Sequence, residues 1–252
     1  MSYTRRDVLR GAAGVAAGSV AIGTVAAQEE YDHWQAQPDH VSLVYDEPTL
    51  VSYAPRLVLS QEAREKFRGL WGWTATSQEY DHDHHVYVAL YTHQDGLGTI
   101  GQMLSDSHLG DTEWYYVLSD PETGETQQVI YDAYHWVAGR QNASSITMDG
   151  EHPVASVQDP WHFYAHQSVD ADSATSFDEV NDLTEEFGGL LSNGLDESLE
   201  PGTVTDPATM QARTHWWRSA VGEFSTDALL ASAVYRLGWV GADQADSSAL
   251  AF

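Results

Sequence analysis

DTEWYYVLSDPETGETQQVIYDAYHW, residues 111–136, is the stretch of this sequence that most clearly indicates a fold. Two runs rich in aromatic and β-branched residues, Asp111–Leu118 and Gln127–Trp136, flank the polar segment Ser119–Gly124. An Asp-Pro pair followed by a glycine is typical of a type I turn closed by a left-handed residue. The stretch therefore predicts a β-hairpin.

The register of this hairpin decides which side chains meet. Folding about the turn pairs residues whose numbers sum to roughly 245, so Asp111 is expected near Tyr134 or His135. Asp132 would then lie at the same end of the sheet. A slip of one residue would move these side chains to the opposite face.

Further short runs of β-branched and aromatic residues continue from Val41 to about His166, bounded by Pro, Gly, Asp or Ser. Runs of this kind predict strands. Many short strands without alternating helices favour an antiparallel β-sandwich over a parallel α/β sheet. We therefore predict a mainly β protein, with a β-sandwich domain at residues 28–168. The clearest of these runs are Val41–Tyr45, Arg56–Leu59 and Val86–Tyr91.

The C-terminal part, residues 169–252, is expected to form a helical extension packed on the sandwich. Apolar residues recur at helical spacing between Ser176 and Leu191. Asp206-Pro207 is typical of a helix start, in which a capping residue precedes proline at the first helical position. A third helix is expected from Thr226 to Leu237.

The N-terminal segment, residues 1–27, predicts export. It begins with the pair Arg5-Arg6, continues through a mildly apolar Gly/Ala/Val stretch, and ends in small residues at Val25-Ala26-Ala27. These features are typical of a cleavable signal of the twin-arginine route. The apolar stretch is short for a membrane span, so we expect a secreted chain that begins near Gln28 and has no transmembrane anchor.

The composition indicates a folded, strongly acidic protein. The net charge is −27, yet nine Trp and thirteen Tyr can build a core. A carboxylate-covered surface is typical of an extreme halophile, because salt screens the self-repulsion. Nucleic acid is excluded as an expected partner, since binding it requires clustered Arg and Lys. The absence of cysteine excludes disulfides and thiol catalysis.

The candidate metal-binding residues centre on Asp106–Trp114. This segment lies between His82 and His166, a range that holds nine of the twelve histidines. If a strand begins at Asp111, its period of two places Asp111 and Glu113 on one face. His108 in the preceding loop can fold over that face, and the hairpin brings His135 toward it. One or two imidazoles with two carboxylates can hold a divalent cation. The alternative is that these acids are ordinary solvated surface.

Two other histidine groups allow a structural and a ligand interpretation. The tract Asp81–His85 is expected to be a polar turn before a strand, with adventitious metal affinity. His152, His162 and His166 lie near large aromatic residues and are expected to be hydrogen-bonded core residues, although one of them could complete a metal shell.

The segment His108-Leu109-Gly110-Asp111-Thr112-Glu113 resembles the His-x-Gly-Asp-Trp-Glu motif of vacuolar-sorting-related proteins and its counterpart in the necrosis- and ethylene-inducing-peptide-like proteins. The resemblance covers about residues 50–166, and Thr112 stands where the family has tryptophan. It implies a β-sandwich with a divalent cation in an acidic surface cavity, which in cytolytic members engages lipid head groups. His108, Asp111 and Glu113 are the implied ligands, with Asp106 or Asp95 as a candidate fourth.

Three functions are compatible with these residues. The first is a secreted metal-binding protein that recognises a polar surface ligand, such as a lipid or glycan head group. The second is a metal-dependent extracellular hydrolase with His135 or Glu151 as proton carrier. The third is a non-catalytic extracellular structural protein. Carboxylate and imidazole ligands favour magnesium, calcium or manganese. The sequence leaves open whether the chain is an enzyme.

Overall fold

Two β-sheets form the structure of this chain, a computed structural model that describes residues 37–94, 108–134, 137–184 and 205–212. The larger sheet has seven strands and the smaller sheet four, and most neighbouring strands are antiparallel. The predicted mainly β, sandwich-like fold is confirmed. The strands are β1 (Ser42–Val44), β2 (Arg56–Val58), β3 (Phe67–Thr76), β4 (Asp83–Gln94), β5 (His108–Ser119), β6 (Thr126–Tyr134), β7 (Val137–Asn142), β8 (Met148–Asp149), β9 (His152–Gln158), β10 (Phe163–Ala165) and β11 (Asn181–Asp182).

The larger sheet follows the order β1-β3-β4-β5-β6-β7, with β11 parallel to β3. The smaller sheet follows the order β10-β9-β2, and β8 pairs with β9. Two short α-helices, α1 (Glu47–Tyr53) and α2 (Gln61–Lys66), flank β2. Each begins at a side-chain cap: Asp46 accepts the Thr49 N–H, and Ser60 accepts the Ala63 N–H.

The predicted hairpin is formed by β5 and β6. Its paired residues include Tyr115 with Tyr131 and Val117 with Val129, which agrees with the predicted register to within one residue. The turn is closed by Asp120, whose side chain accepts the backbone N–H groups of Glu122 and Thr123. Gly124 ends it with φ at 74°, a left-handed conformation that glycine adopts without strain.

The main core lies between the two sheets. Along β4 and β5 the odd-numbered side chains, such as Tyr87 and Val117, enter this core, while the even-numbered ones, such as Val86 and Tyr116, face the other side of the large sheet. From the smaller sheet, Tyr164 packs into the same interlayer core. Full burial of such side chains contributes roughly 1.5–3 kcal/mol each.

The outer face of the large sheet is covered in part by C-terminal segments. Leu183 and Met210 are fully buried there. The helix expected from Ser176 is wrong at its start, because Asn181–Asp182 forms β11 alongside β3. Sheet pairing of the backbone outweighs the helical spacing of the apolar residues here. The expected start at Asp206-Pro207 is confirmed as a 3-10 helix, Pro207–Ala212.

Several sequence predictions lie outside the described residues. They include the export signal at 1–27 and the rest of the expected helical extension at 185–204 and 213–252. The predicted domain boundary at 168/169 falls among the described residues, which do not test it. These stay predictions. Within the described ranges, no helix combines the length and the apolar character needed to cross a bilayer.

Candidate functional site

The candidate site lies on β5, where the interlayer face changes from apolar to acidic. Asp111 and Glu113 follow the alternation that carries Tyr115 into the interlayer core, so the two acids share one face as predicted. They are only 2 % and 8 % exposed, respectively. Their interpretation as ordinary solvated surface is therefore wrong.

Glu113 is paired with a third buried carboxyl group, that of Asp132 on β6. Burial raises the pKa of Glu113 well above its usual value, and the charges of Asp132 and Asp111 raise it further. Hydrogen bonding with the Asp132 side chain raises the pKa of Glu113 in the same direction. Asp132 also accepts the backbone N–H of Trp114 at 2.6 Å. The β5–β6 pairing ends at Tyr115 and Tyr131, and beyond it the Asp132 side chain meets β5 beside Glu113.

His162 reaches the cluster from the loop before β10. Its Nδ1 lies 2.6 Å from Oδ2 of Asp111, and the ring is fully buried. Because Asp111 accepts the Nδ1 proton, Nε2 keeps a lone pair, and Nε2 has no hydrogen-bond partner. The φ angle of His162 is 59°, an uncommon conformation for a residue with a side chain, and such strain is concentrated at functional sites.

Two more buried polar atoms near these residues lack partners. The Tyr91 ring stacks on His162 with 4.1 Å between ring centroids, and its hydroxyl forms no hydrogen bond. Oδ1 of Asp159 is likewise buried and unpartnered. Burial raises the pKa of Tyr91 well above its usual value, and the negative charges of Glu113, Asp111 and Asp159 act in the same direction. Each unsatisfied atom costs about 1–3 kcal/mol unless a ligand or water satisfies it.

The chemistry of these donors fits a divalent cation. Buried carboxylates together with an imidazole that donates to one of them are typical of sites for magnesium, calcium or manganese. The unpartnered Nε2 of His162 is the observation that a bound group would explain. In the ranges that the structure describes, no three His, Asp or Glu side chains converge tightly enough to hold an ion alone. A full shell therefore requires water or donors from the other side chains.

The remaining predicted ligands are only partly described. His108 begins β5, where its backbone is paired with Gln94, but its side chain lies outside the described set. Asp106, Asp95 and His135 lie outside the described residues altogether. Their ligand roles stay predictions.

Glu151 does not belong to this site, which corrects its expected role as proton carrier. It accepts a hydrogen bond from Thr126, next to the hairpin turn. Thr126 pairs with Ser119, at the opposite end of β5 from Asp111. Asp111 and Ser119 are eight positions apart along β5, which corresponds to roughly 26 Å.

The other histidines confirm the structural interpretation that the sequence favoured. Both ring nitrogens of His166 have partners, the Tyr115 hydroxyl and the Val154 carbonyl. His152 binds the Ala54 carbonyl through Nδ1. Only His162 among the three candidates approaches the acids. The sequence around His162 does not distinguish it from His152 and His166, because its contact with Asp111 joins residues 51 positions apart.

Comparisons with known proteins give low-similarity structural neighbours. No family model and no curated protein matches the chain. One similar solved structure is described as a toxin fold for microbial attack and plant defense, with 12 % identity, a TM-score of 0.39, and coverage of 59 % of this chain and 89 % of its own. Another is Necrosis and Ethylene inducing Protein 2 from the causal agent of cocoa's Witches Broom disease, with 14 % identity, a TM-score of 0.38, and coverage of 69 % and 93 %.

A third neighbour is NLPPya in complex with mannosamine, with 13 % identity, a TM-score of 0.37, and coverage of 59 % and 89 %. The neighbours include the kind of protein that the short motif on β5 resembles. Likenesses of this strength establish neither a ligand nor an activity for this chain, and the motif itself stays a prediction.

Proposed function

We propose that this protein binds a divalent cation at the Asp111/Glu113 end of β5 and uses that site outside the cell to recognise a polar surface ligand. The observation that carries the proposal is the burial of three carboxyl groups beside an imidazole whose Nε2 has no partner. A structural protein gains no stability from such an arrangement.

The electrostatic cost of the site favours a cation. Burying an ion costs several kcal/mol unless it is compensated. Burial and the charges of Asp132 and Asp111 raise the pKa of Glu113, which favours a proton on this carboxyl group when no cation is bound. A divalent cation would replace this proton and compensate both charges, so binding would release a proton.

Asp111 and Glu113 are the proposed carboxylate ligands of the described set, and His162, held by Asp111 through Nδ1, is proposed to ligate through Nε2. His108, Asp106 and His135 are proposed to supply further donors. A magnesium, calcium or manganese ion bound there would supply a positive charge that attracts phosphate or hydroxyl oxygens. The side chains of Asp111, Glu113 and His162 would hold the ion, exclude bulk water and fix the orientation of the donors.

The proposed ligand is a lipid or glycan head group on a surface outside the cell. The twin-arginine-type N-terminus and the motif resemblance support this location and this class. A chain with a net charge of −27 is repelled by anionic head groups, so a bound cation would be the element that makes recognition favourable. Flotation with vesicles carrying phosphoinositol or glycosyl head groups, with cation or with chelator, tests this step. Cation-independent binding, or no binding to either, would argue against it.

The cation itself is tested first. We expect one divalent ion per chain by mass spectrometry and a melting temperature that falls on chelation. A ligand at about 100 times its Kd stabilises the folded state by about 2.7 kcal/mol. Asp111→Asn and Glu113→Gln should remove the chelator effect, since each deletes a donor charge while keeping the side-chain shape.

Glu122→Gln is the matched control, because Glu122 is an exposed acid on the turn of the same hairpin. It should leave metal content and the chelator effect unchanged. No bound ion in any cation tested, with identical melts with and without chelator, contradicts the proposal.

A metal-dependent hydrolase is the second candidate, favoured by the Asp111–His162 pair. A histidine oriented by a carboxylate can act as a general base through Nε2. The full burial of His162 argues for ligation instead, since a base must reach its substrate. Hydrolysis of a phosphodiester or ester panel in high salt, abolished by His162→Gln, would favour the enzyme; a blank panel with the cation bound would favour recognition.

A further inference from the structure

The turn that follows β7 contains the only Asn-x-Ser/Thr triplet of the chain, Asn142-Ala143-Ser144. Asn142 is the last residue of β7, and Ala143–Ser145 forms a single turn of 3-10 helix directly after it. In a protein that leaves the cell, such a triplet accepts an N-linked glycan where its asparagine lies at the surface. Triplets of this kind also occur by chance, so the local structure has to distinguish an acceptor from an ordinary polar turn.

The side-chain amide of Asn142 has little structural role. An asparagine that precedes a helix commonly accepts a backbone N–H of the first turn, but Asn142 makes no such bond. Its Oδ1 accepts one hydrogen bond from Gln128, which is long at 3.4 Å and lies at the exposed surface. Asn142 is exposed, and in the described part of the chain its Nδ2 has no hydrogen-bond partner. The nitrogen atom to which a glycan is attached is therefore open to solvent.

Ser144 completes the triplet and is equally accessible. Its side chain is exposed and forms no hydrogen bond with any of the described residues. The next residue, Ser145, has the structural role instead, because its Oγ donates to the Asn142 carbonyl at 2.7 Å. Substitutions at the two serines can thus separate the requirements of the triplet from those of the turn.

The triplet lies at the end of the large sheet that is distant from the candidate cation site. Asn142 pairs with Gln128 of β6, and Gln128 pairs with Leu118 of β5. Leu118 is seven positions along β5 from Asp111, which corresponds to roughly 23 Å. A glycan on Asn142 would therefore leave the Asp111 end of β5 open to a ligand.

We propose that Asn142 is an N-glycosylation site, which receives its glycan outside the cell from a donor linked to an isoprenoid lipid phosphate. In the transfer, Nδ2 forms a bond with the anomeric carbon of the first sugar. The bond between that carbon and the phosphate oxygen breaks, and its electron pair leaves with the phosphate. One Nδ2 proton passes to a base of the membrane glycosyltransferase that catalyses the step. The inference rests on the predicted export of the chain and is independent of the proposed cation site.

The site is tested in the full chain, with residues 1–27 in place. The host is a halophile that N-glycosylates its own surface proteins, which serve as the positive control. Cleavage after Glu125 and Glu151 releases residues 126–151, in which Asn142 is the only asparagine. Mass spectrometry of this peptide should show a glycan, and fragmentation should locate it on Asn142. Asn142→Gln and Ser144→Ala should each lose the glycan completely, whereas Ser144→Thr should retain it.

Ser145→Ala is the matched control, because it removes the hydrogen bond to the Asn142 carbonyl and keeps the triplet. It should be glycosylated to the same extent as the wild type. Wild type and Ser144→Ala from a host without the lipid-linked donor should have equal melting temperatures, which excludes misfolding as the cause of a lost glycan.

An unmodified peptide from the wild type overturns the assignment, as does a glycan that persists on the peptide in Asn142→Gln or Ser144→Ala. The location of an unmodified wild-type chain identifies the step that fails. A chain in the medium shows that Asn142 is not an acceptor, whereas a chain retained in the cells shows that the predicted export is wrong.

Discussion

The two ends of β5 bury polar groups in opposite ways. At the turn end, His85 lies between Thr74 and Ser119, with both nitrogens bonded, and stacks on Tyr53 with 4.0 Å between ring centroids. At the other end, Asp111 and Glu113 lie among further acids, and His162 retains an unpartnered nitrogen. A satisfied network stabilises the fold by itself, whereas an unsatisfied one is stable only if something else binds.

Acidification should give the largest effect, at the turn end. Burial lowers the pKa of His84 to about 4 and of His85 to about 3, with a further lowering from a neighbouring histidine in each case. The unfolded chain binds these protons below about pH 6.5, so stability is lost as pH falls from there toward the folded values. Between pH 7 and pH 5 we expect each histidine to contribute a loss of about 2 kcal/mol, which the proton taken up by Glu113 in the folded state opposes.

Denaturant unfolding at the two pH values, in constant salt, measures this loss. His85→Gln should remove about half of the histidine contribution and so reduce the loss on acidification by about 2 kcal/mol, while His40→Gln should leave the pH dependence unchanged. A pH dependence in His85→Gln equal to that of the wild type would show that the turn end does not control acid stability.

Two histidine substitutions separate the satisfied from the unsatisfied network more finely. His166→Gln removes a ring with two partners and should cost about 1–3 kcal/mol of unfolding free energy while leaving cation affinity unchanged. His162→Gln should cost less stability in chelator but reduce cation affinity by about tenfold or more. Melts and metal titrations of both variants decide the point. If His166→Gln and His162→Gln change the unfolding free energy and the cation affinity equally, the distinction between the hydrogen-bonded and the unsatisfied network is wrong.

The turn itself should give the smallest effect. Hydrogen bonds from Thr123 and Glu122 hold the pKa of the exposed Asp120 below its usual value, so its contribution is present at neutral pH and disappears as pH falls through that lowered pKa. Asp120→Asn should lower the melting temperature slightly at pH 7 and not at all at very low pH. A thermal-melt series in pH checks this, with Glu122→Gln as the neutral comparison.

The sequence predicted the parts of the site that lie on one strand. Alternation along β5 was sufficient to place Asp111 and Glu113 on one face, and the Asp-Pro…Gly turn predicted the hairpin and its register to within one residue. The contact of Asp132 with β5 depends on where the strand pairing ends. The sequence did not predict that the acids are buried, because burial depends on the second sheet. Nor did it single out His162 or Tyr91, which arrive from distant parts of the chain.

Local pattern alone misjudged the segment after Ser176. Phe177 and Val180 have helical spacing, but β3 offers Asn181–Asp182 a backbone partner, and helical conformation begins only at Leu183. The free energy gained from strand pairing and burial depends on residues that are distant in sequence, so a short stretch of sequence does not reveal it.

By itself, the sequence determined the mainly β class, the hairpin with its register to within one residue, the acidic composition and the shared face of Asp111 and Glu113. These follow from periodicity and turn chemistry, which act over a few residues. Only the tertiary structure decided which polar groups are satisfied, since His85 and His162 differ in their distant partners and not in their local sequence. The packing of one sheet on the other gives one histidine two partners and leaves the other with a free nitrogen beside buried acids.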